Sequence, residues 1–464
     1  MTNTELPTKI IQFGKGNFLR GFSTWMTEVL NKETDFNGGV EIVETFKTKR
    51  SKQLIEQDFK YHVIERGIEN EIVIDRITRV NAIKGLTNVV TAYDKFLKLA
   101  LEPELKFIIS NTTETGITFK TEDTDIRSPQ TFPGRLTALL FYRFQHLSHP
   151  EETIFVLPCE LIDDNADTLR SCIFNYCELW KLPLEFVAWL NKTIVFCNTL
   201  VDRIVSGYPK APEVFRERLS FRDELMVVCE PYHFWAIEDK AEISSALPIH
   251  KTNLNVQFVK DIKPYKKIKV RVLNGAHTAM VALGMLEGIK TVDEFMSNSA
   301  LRILLDHMLN DDILPTLSQY KSESNDFKNR VFDRFQNPFT KHRLSTIQLN
   351  SISKFRTRLL PSLKDYVALK GSLPNHVPEV LAHLLWLYIN SVSSSGIELI
   401  DEPRVLDIFK MAWSQNDLEK TVVALLQNKE LWDEDLVLIE GLKATLMTSL
   451  NRLNMAKDPG AFIN

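Results

Sequence analysis

Short apolar runs alternate with segments of helical period along the first part of the chain. Thr8–Phe13 (TKIIQF) reads as a buried strand, Gly14-Lys15-Gly16-Asn17 as a tight turn, the residues to about Leu30 as a helix, and Val40–Thr45 as a second strand. The alternation continues with a strand or hairpin at 71–80, a helix over 87–101, a strand at 106–110 and a helix over 133–147 with proline in its first turn. A strand at 153–157, a helix over 163–180 and a strand at 193–197 follow, then a β-rich section with runs at 225–229, 234–237 and 256–259. Strands alternating with helices of this length predict an α/β domain built on a doubly wound parallel sheet. From Asp261 the period is helical almost throughout: 264–286, 292–297, 299–309, 311–319, 325–335, 344–360, 378–392, 403–413, 416–427 and 432–455. Pro315, Pro338, Pro361, Pro374 and Pro378 punctuate these helices. The expected organisation is therefore an α/β domain over 1–260 and a mostly α-helical domain over 261–464.

Composition narrows the partners. Hydrophobic content of 44%, charged content of 25% and a net charge of −4 are those of a globular protein with no overall pull toward nucleic acid or an anionic membrane. No run approaches the ~20 apolar residues of a membrane span. The N-terminal residues carry no basic region followed by a long apolar stretch, so a cytoplasmic protein is expected. The five cysteines form no CxxC pair and their odd number argues for reduced thiols. The ten histidines include no HExxH, and no metal site is expected. Nothing in the composition sets the oligomeric state.

Candidate chemistry gathers at two places. In a doubly wound sheet, ligands bind at the carboxyl ends of the strands. That rim would carry Gly14, Glu44, Asn111–Glu114 and Cys159–Glu160. A glycine pair between strand and helix lets backbone N–H groups approach a diphosphate, and Asn17 and Arg20 stand close to where it would lie. The full fingerprint would have a third glycine where Leu19 stands. Glu44, at the end of the second strand, is placed to hold the ribose hydroxyls of NAD and to repel the 2′-phosphate of NADP, whereas Lys47, Lys49 and Arg50 would act in the opposite sense. The second place is Lys263–Leu286, where Lys269, Asn274 and His277 form K-x4-N-x2-H. In an α-helix at ~100° per residue, Asn274 lies about 140° and His277 about 80° around from Lys269. An amine, an amide and an imidazole on one side suit a hydroxyl or carbonyl oxygen.

Together GKGNFLRGF, SNTTETGI, PCELIDDNAD, NTLVDRI and the K-x4-N-x2-H stretch, in this order over essentially the whole chain, resemble the polyol-specific long-chain dehydrogenases, the mannitol dehydrogenase family. The resemblance implies a Rossmann-like N-terminal domain and metal-independent hydride transfer between NAD(H) and a secondary alcohol of a small polyol or sugar acid. It assigns Gly14, Gly16, Asn17, Phe18, Arg20, Glu44, Asn111 and Glu114 to the cofactor. Lys269 becomes the acid/base, its pKa drawn down by desolvation and by an oxidised nicotinamide. Asn274 and Asn198 become donors to the oxygen as it gains alkoxide character, and His277 orients the substrate. Lys354 matches a substrate-binding lysine of the family, and Asp239, in FWAIED, either faces the substrate or serves the strand end. Two departures stand out: Thr346 occupies a place where polyol members carry arginine, and Lys266 one where some relatives carry glutamate. Arg356 and Arg358 are the candidate replacements for holding a substrate carboxylate.

Overall fold

The computed structural model describes residues 6–113, 115–147, 152–393, 398–414 and 416–455. The chain divides into two compact units, one of Met1–Arg66 and Val73–Lys263, the other of Gly67–Ile72 and Pro264–Asn464.

The first unit is built on six strands: β1 (Thr8–Phe13), β2 (Gly39–Glu44), β5 (Ile83–Asn88), β6 (Phe107–Ser110), β7 (Ile154–Pro158) and β8 (Ile194–Phe196), in the order β5-β2-β1-β6-β7-β8. Neighbours pair in parallel throughout. The chain winds outward from β1 in one direction, returns, and winds outward in the other, so the order reverses between β1 and β6. Every residue of β2, β6 and β7 is buried, as expected where helices cover both faces. Alternate side chains feed separate cores: Ile10, Ile42, Phe107, Ile109 and Leu157 on one face, Ile11, Val43, Ile108 and Val156 on the other.

Between β2 and β5 the chain makes β3 (Tyr61–Glu69) and β4 (Ile72–Val80), which join β10 (Val205–Gly207) and β11 (Val227–Cys229) in the order β10-β11-β3-β4. A third sheet runs β13-β12-β9, from Val256–Val259, Phe234–Glu238 and Thr199–Asp202. Two expectations need correction, and one helix was not expected. Thr87 and Asn88, expected to begin a helix, instead end an edge strand over Ile83–Asn88 that pairs with Val40–Glu44; the helix begins only at Tyr93. The first helix is broken into Asn17–Arg20 and Ser23–Glu33 by Phe22, at φ −132° and ψ −96°. A helix at Leu184–Thr193, which the sequence pattern did not reveal, leads into β8.

Arg203 in the NTLVDRI stretch is structural. Its guanidinium is buried against Glu65 (Nη2–Oε1 2.9 Å), donates to Gly21 O at 2.7 Å and lies 4.1 Å from the Trp25 ring centroid. Arg76 completes the pairing from Nε to Glu65 Oε2 at 2.8 Å.

The second unit is helical. Gly275–Leu286 and Val377–Val392 lie at the heart of one extended apolar core. The region expected as one helix over 344–360 is Leu344–Ile347 and Ser351–Arg358, and Pro361 opens a further helix, Leu360–Lys370, where its missing N–H costs nothing. No helix among the described residues is long and apolar enough to cross a membrane.

Removing one partner of a buried ion pair strands the other. Glu65→Ala is accordingly expected to cost about 3–5 kcal/mol, read as a lower urea midpoint; an unchanged midpoint would show that Arg203 finds another acceptor. All five cysteines are free and buried, and burial pushes the thiols of Cys177, Cys197 and Cys229 up to about 12. None of the five is expected to react with an aromatic disulfide within minutes near pH ~8 in the native protein, and all five in guanidinium chloride. Rapid reaction of any thiol in the native protein would contradict this burial.

Candidate active site

The glycine turn sits where the strand order reverses. Gly14 has φ +123°, a conformation that L side chains rarely adopt, and a Cβ there would lie 3.3 Å from both Asn111 O and Leu19 Cδ1. Its N–H donates to Val43 O at 3.1 Å, and the Asn111 N–H donates to Phe13 O at 3.3 Å, so the ends of β2, β1 and β6 are stitched together around it. Buried Gln12 fixes the turn from below: its amide donates to Gly14 O at 2.9 Å and accepts from Ser23 Oγ (3.0 Å) and Thr24 Oγ1 (2.7 Å). Sequence reasoning missed this residue, since a glutamine inside an apolar strand looks like an outward-facing position. A Cβ on Gly16 would meet nothing within 4 Å. Glycine where no side chain is allowed, open space beside it, and a position at the switch point together fit a dinucleotide diphosphate. Leu19, in place of the third glycine, is buried in the core that Gly14 leans on.

The other expected cofactor residues are drawn more deeply into the protein than their spacing suggested. Arg20 is buried, donates to the carbonyl of Leu225 and, at 2.8 Å, to Asn17 Oδ1, and stacks 5.2 Å from the Tyr61 ring centroid. Burial pulls its pKa down without removing the charge. Phe18 stacks on Phe22 at 5.0 Å. Glu44 is buried and its Oε2 accepts from Lys15 Nζ and from Ser51 Oγ at 2.6 Å, while Oε1 accepts from Asn88 Nδ2 at 3.3 Å. A carboxylate offers about four acceptor sites, so Oε1 retains room for a further donor. Beside this acid a cavity of about 450 Å³ is lined by Lys15, Arg20, Thr48, Lys49, Arg50 and Tyr208, among others. Asn111 reaches Cys159 O at 3.1 Å, and Glu114 lies outside the described residues.

Asn198 differs from expectation. Its Oδ1 accepts from the N–H groups of Ala166 (2.9 Å) and Asp167 (3.2 Å), capping the helix Asn165–Leu179. Its Nδ2 donates to Asp167 Oδ2 (2.7 Å) and Glu238 Oε2 (3.1 Å). Both amide hydrogens are committed, so an oxyanion-donor role would require breaking one of these bonds. Asp239 is exposed just past β12, its N–H bonded to Val259 O at 2.8 Å.

In the second unit, K-x4-N-x2-H does not lie on a uniform helix. Lys263–Lys269 is α-helical, Val270–Asn274 is π-helical and Gly275–Leu286 is α-helical again. The wider turn advances fewer degrees per residue than the ~100° of an α-helix. Asn274 and His277 therefore both swing closer to the side of Lys269 than uniform winding would put them. Lys266 is close enough that its pKa is lowered first by burial and then by the Lys269 ammonium. His277 packs on Phe335 at 4.8 Å and on His342 at 5.1 Å, edge to face. Burial lowers the His342 pKa, which favours a neutral imidazole there.

The helix Ser351–Arg358 supplies the neighbouring cations. Arg358 Nη1 lies 3.4 Å from Asn274 O and 3.4 Å from Thr278 Oγ1. Lys354 Nζ donates to Ile347 O at 2.6 Å, and its pKa is lowered by burial and then by Arg358. Arg356 is elsewhere: its Nη1 pairs with Asp433 Oδ1 at 2.7 Å, which excludes it from the group formed by Asn274, Arg358 and Lys354. Thr278 and His342 carried no motif and were missed; only packing reveals them.

Comparison with known proteins agrees with this architecture. Residues 8–251 match the family profile described as "Mannitol dehydrogenase Rossmann domain", and residues 261–454 match "Mannitol dehydrogenase C-terminal domain". The chain belongs to the mannitol dehydrogenase family. It is 39% identical over 461 residues to the altronate oxidoreductase of Bacillus subtilis, covering 97% of this chain and 94% of that one. An altronate oxidoreductase of Escherichia coli O139:H28 is 37% identical over 459 residues, covering 97% and 95%. Among solved structures, the Pseudomonas fluorescens mannitol 2-dehydrogenase complex with NAD and D-mannitol superposes with TM-score 0.70 at 21% identity, covering 98% of this chain and 93% of that one. A substrate-free D-sorbitol dehydrogenase gives TM-score 0.81 at 19% identity, covering 98% and 94%. As a member of the mannitol dehydrogenase family, the chain is a dehydrogenase acting on CH–OH groups with a nicotinamide cofactor.

A β-branched side chain at Gly14 would be strained by about 1–3 kcal/mol and would crowd Asn111. Gly14→Val is expected to weaken NADH binding about tenfold or more in a fluorescence titration; unchanged affinity would place the dinucleotide elsewhere.

Proposed function

We propose that the chain is an NAD-dependent oxidoreductase interconverting D-tagaturonate and D-altronate, with Lys269 as acid/base and no metal in the reaction. The observation that carries the sugar-acid reading is Arg358 beside Asn274, with Lys354 one helical turn away, in the same unit as Lys269. Burial and then the Arg358 guanidinium lower the Lys354 pKa, with Asp401 opposing them, and burial lowers that of Arg358; a substrate carboxylate would favour both charged forms. A neutral polyol would not. The names of the relatives point the same way.

The residues divide the work. Gly14, Gly16 and the end of β1 hold the diphosphate, and the free acceptor capacity of Glu44 Oε1 takes a ribose hydroxyl. Bound NAD supplies the hydride acceptor, and NADH the donor. Lys269 Nζ takes the hydroxyl proton as the carbon-bound hydride departs, and returns it to the oxygen in ketone reduction. The Asn274 amide donates to that oxygen as charge develops. His277, held by Phe335 and His342, binds an adjacent hydroxyl. Arg358 and Lys354 hold the carboxylate.

Three measurements test this reading. NADH oxidation should be faster with D-tagaturonate than with D-fructuronate or D-fructose, and faster with NADH than NADPH. A preference for fructose would replace the proposed substrate by a neutral polyol, and one for fructuronate by the isomeric uronate. Lys269→Ala should lower kcat by roughly 10²–10⁴-fold while NADH still binds, as loss of a general acid/base does. Arg358→Gln should raise KM for the sugar acid by about 10–100-fold, the cost of a charge-assisted hydrogen bond. An equal loss on D-fructose would show that Arg358 serves the fold and not the carboxylate.

A further inference from the structure

The helical unit holds a second group of reactive side chains that hydride transfer does not use. His307 ends the helix Ser299–His307, Asp311 follows in the π-wound segment Met308–Ile313, and His376 immediately precedes Val377–Val392. His307 Nδ1 lies 3.1 Å and His376 Nε2 3.6 Å from the same Asp311 Oδ2, with the two imidazole centroids 5.7 Å apart. One ligand atom from each residue falls within 4.8 Å of the others. Three ligands bound to one metal at about 2.0–2.2 Å stand roughly 3–4 Å from each other, so small side-chain rotations complete the set.

The backbone around this group is already clamped. Asp312, next to Asp311, is buried and accepts the N–H groups of Asn375 (3.3 Å), His376 (2.7 Å) and Val377 (2.7 Å). One carboxylate thereby fixes the segment carrying His376 against the segment carrying His307 and Asp311, and no loop has to reorganise when an ion arrives. The side chains of His307, Asp311 and His376 are 56%, 50% and 22% exposed, leaving an entry path and open positions for water. Lys328, which lines a cavity together with His307, is engaged with Asp306 at 2.8 Å and Asn310 at 3.0 Å. The cysteines, softer competitors for such an ion, are all buried.

We propose that His307, Asp311 and His376 bind one divalent first-row transition metal, and that the ion ties the start of the helix Val377–Val392 to the end of Ser299–His307. Two imidazoles and a carboxylate with open positions suit Zn²⁺ or Co²⁺ better than Mg²⁺ or Ca²⁺, which prefer all-oxygen sets. The role is structural and separate from the alcohol chemistry.

The test uses the full chain, stripped with EDTA and titrated with ZnCl₂ by calorimetry and with Co²⁺ by visible absorbance. One equivalent of zinc should bind and raise Tm. Loss of an outer-shell partner alone costs about 10–100-fold in metal affinity, so His307→Ala and His376→Ala should each weaken binding by about 100-fold or more. Both variants should keep NADH-dependent turnover in zinc-free buffer, and circular dichroism reports their folding. If His376→Ala does not fold, His307→Ala, at the more exposed position, carries the test. No stoichiometric binding, or binding unchanged in His307→Ala, overturns the proposal; in that case the two imidazoles only share a hydrogen-bond acceptor. Since binding is read without catalysis, the outcome is independent of the proposed substrate.

Discussion

A helix that takes in extra residues per turn underlies the candidate chemistry. Between Lys269 and Gly275 the winding loosens to π-helix, and it is α-helical on either side. Such a segment survives only where surrounding packing holds it, since its hydrogen bonds are poorer than those of an α-helix. Here Ile268, Val272 and Leu273 are buried in the large core, and Leu359 packs against Gly275. The core pins both ends of the distortion, and the distortion turns an amide and an imidazole toward an amine. The relative placement of these three groups is thus set by the apolar burial around them.

Much of the first unit was legible in the sequence because its signals are local. A buried strand needs a short apolar run, a crossover needs a helical period, and a turn at positive φ needs Gly14. Those three rules order β1, β2, β6, β7 and β8 with the helices between them. What escaped was decided at a distance. Ile83–Asn88 (IKGLTN) has little strand character of its own and becomes a strand because β2 offers it an edge. Gln12 looks like a solvent-facing interruption and is instead the buried amide that secures the glycine turn. The π-wound segment left no trace in the pattern, since apolar positions there satisfy an α-helical period well enough.

The candidate site was legible as a list of residue types and much less so as a set of roles. Motif polar groups proved to be engaged by their own surroundings. Asn198 caps a helix and bonds two carboxylates, Arg20 holds the carbonyl of Leu225, and Arg356 is tied to Asp433. Burial without a partner is expensive for any amide or guanidinium, so a buried one is satisfied first by whatever the fold provides. Arg358 and Lys354 are also held, by Asn274 O and Thr278 and by Ile347 O, but they stand one helical turn apart, and burial lowers the pKa of each. His307 and His376 show the reverse failure of spacing: their relation exists only because Asp312 brings distant backbone together.

The short tip Gly67–Ile72 belongs to the second unit although the chain continues afterwards into the first. The Asn70 N–H there donates to Asp333 Oδ2 at 2.9 Å. Neither unit is therefore a single uninterrupted stretch of polypeptide. During synthesis the tip leaves the ribosome long before Asp333 exists to receive it. A chain cut near Lys263 would carry Asn70 without Asp333, its hydrogen-bond acceptor. Part of the helical unit is therefore synthesised before the strands of the first unit that follow it in the chain.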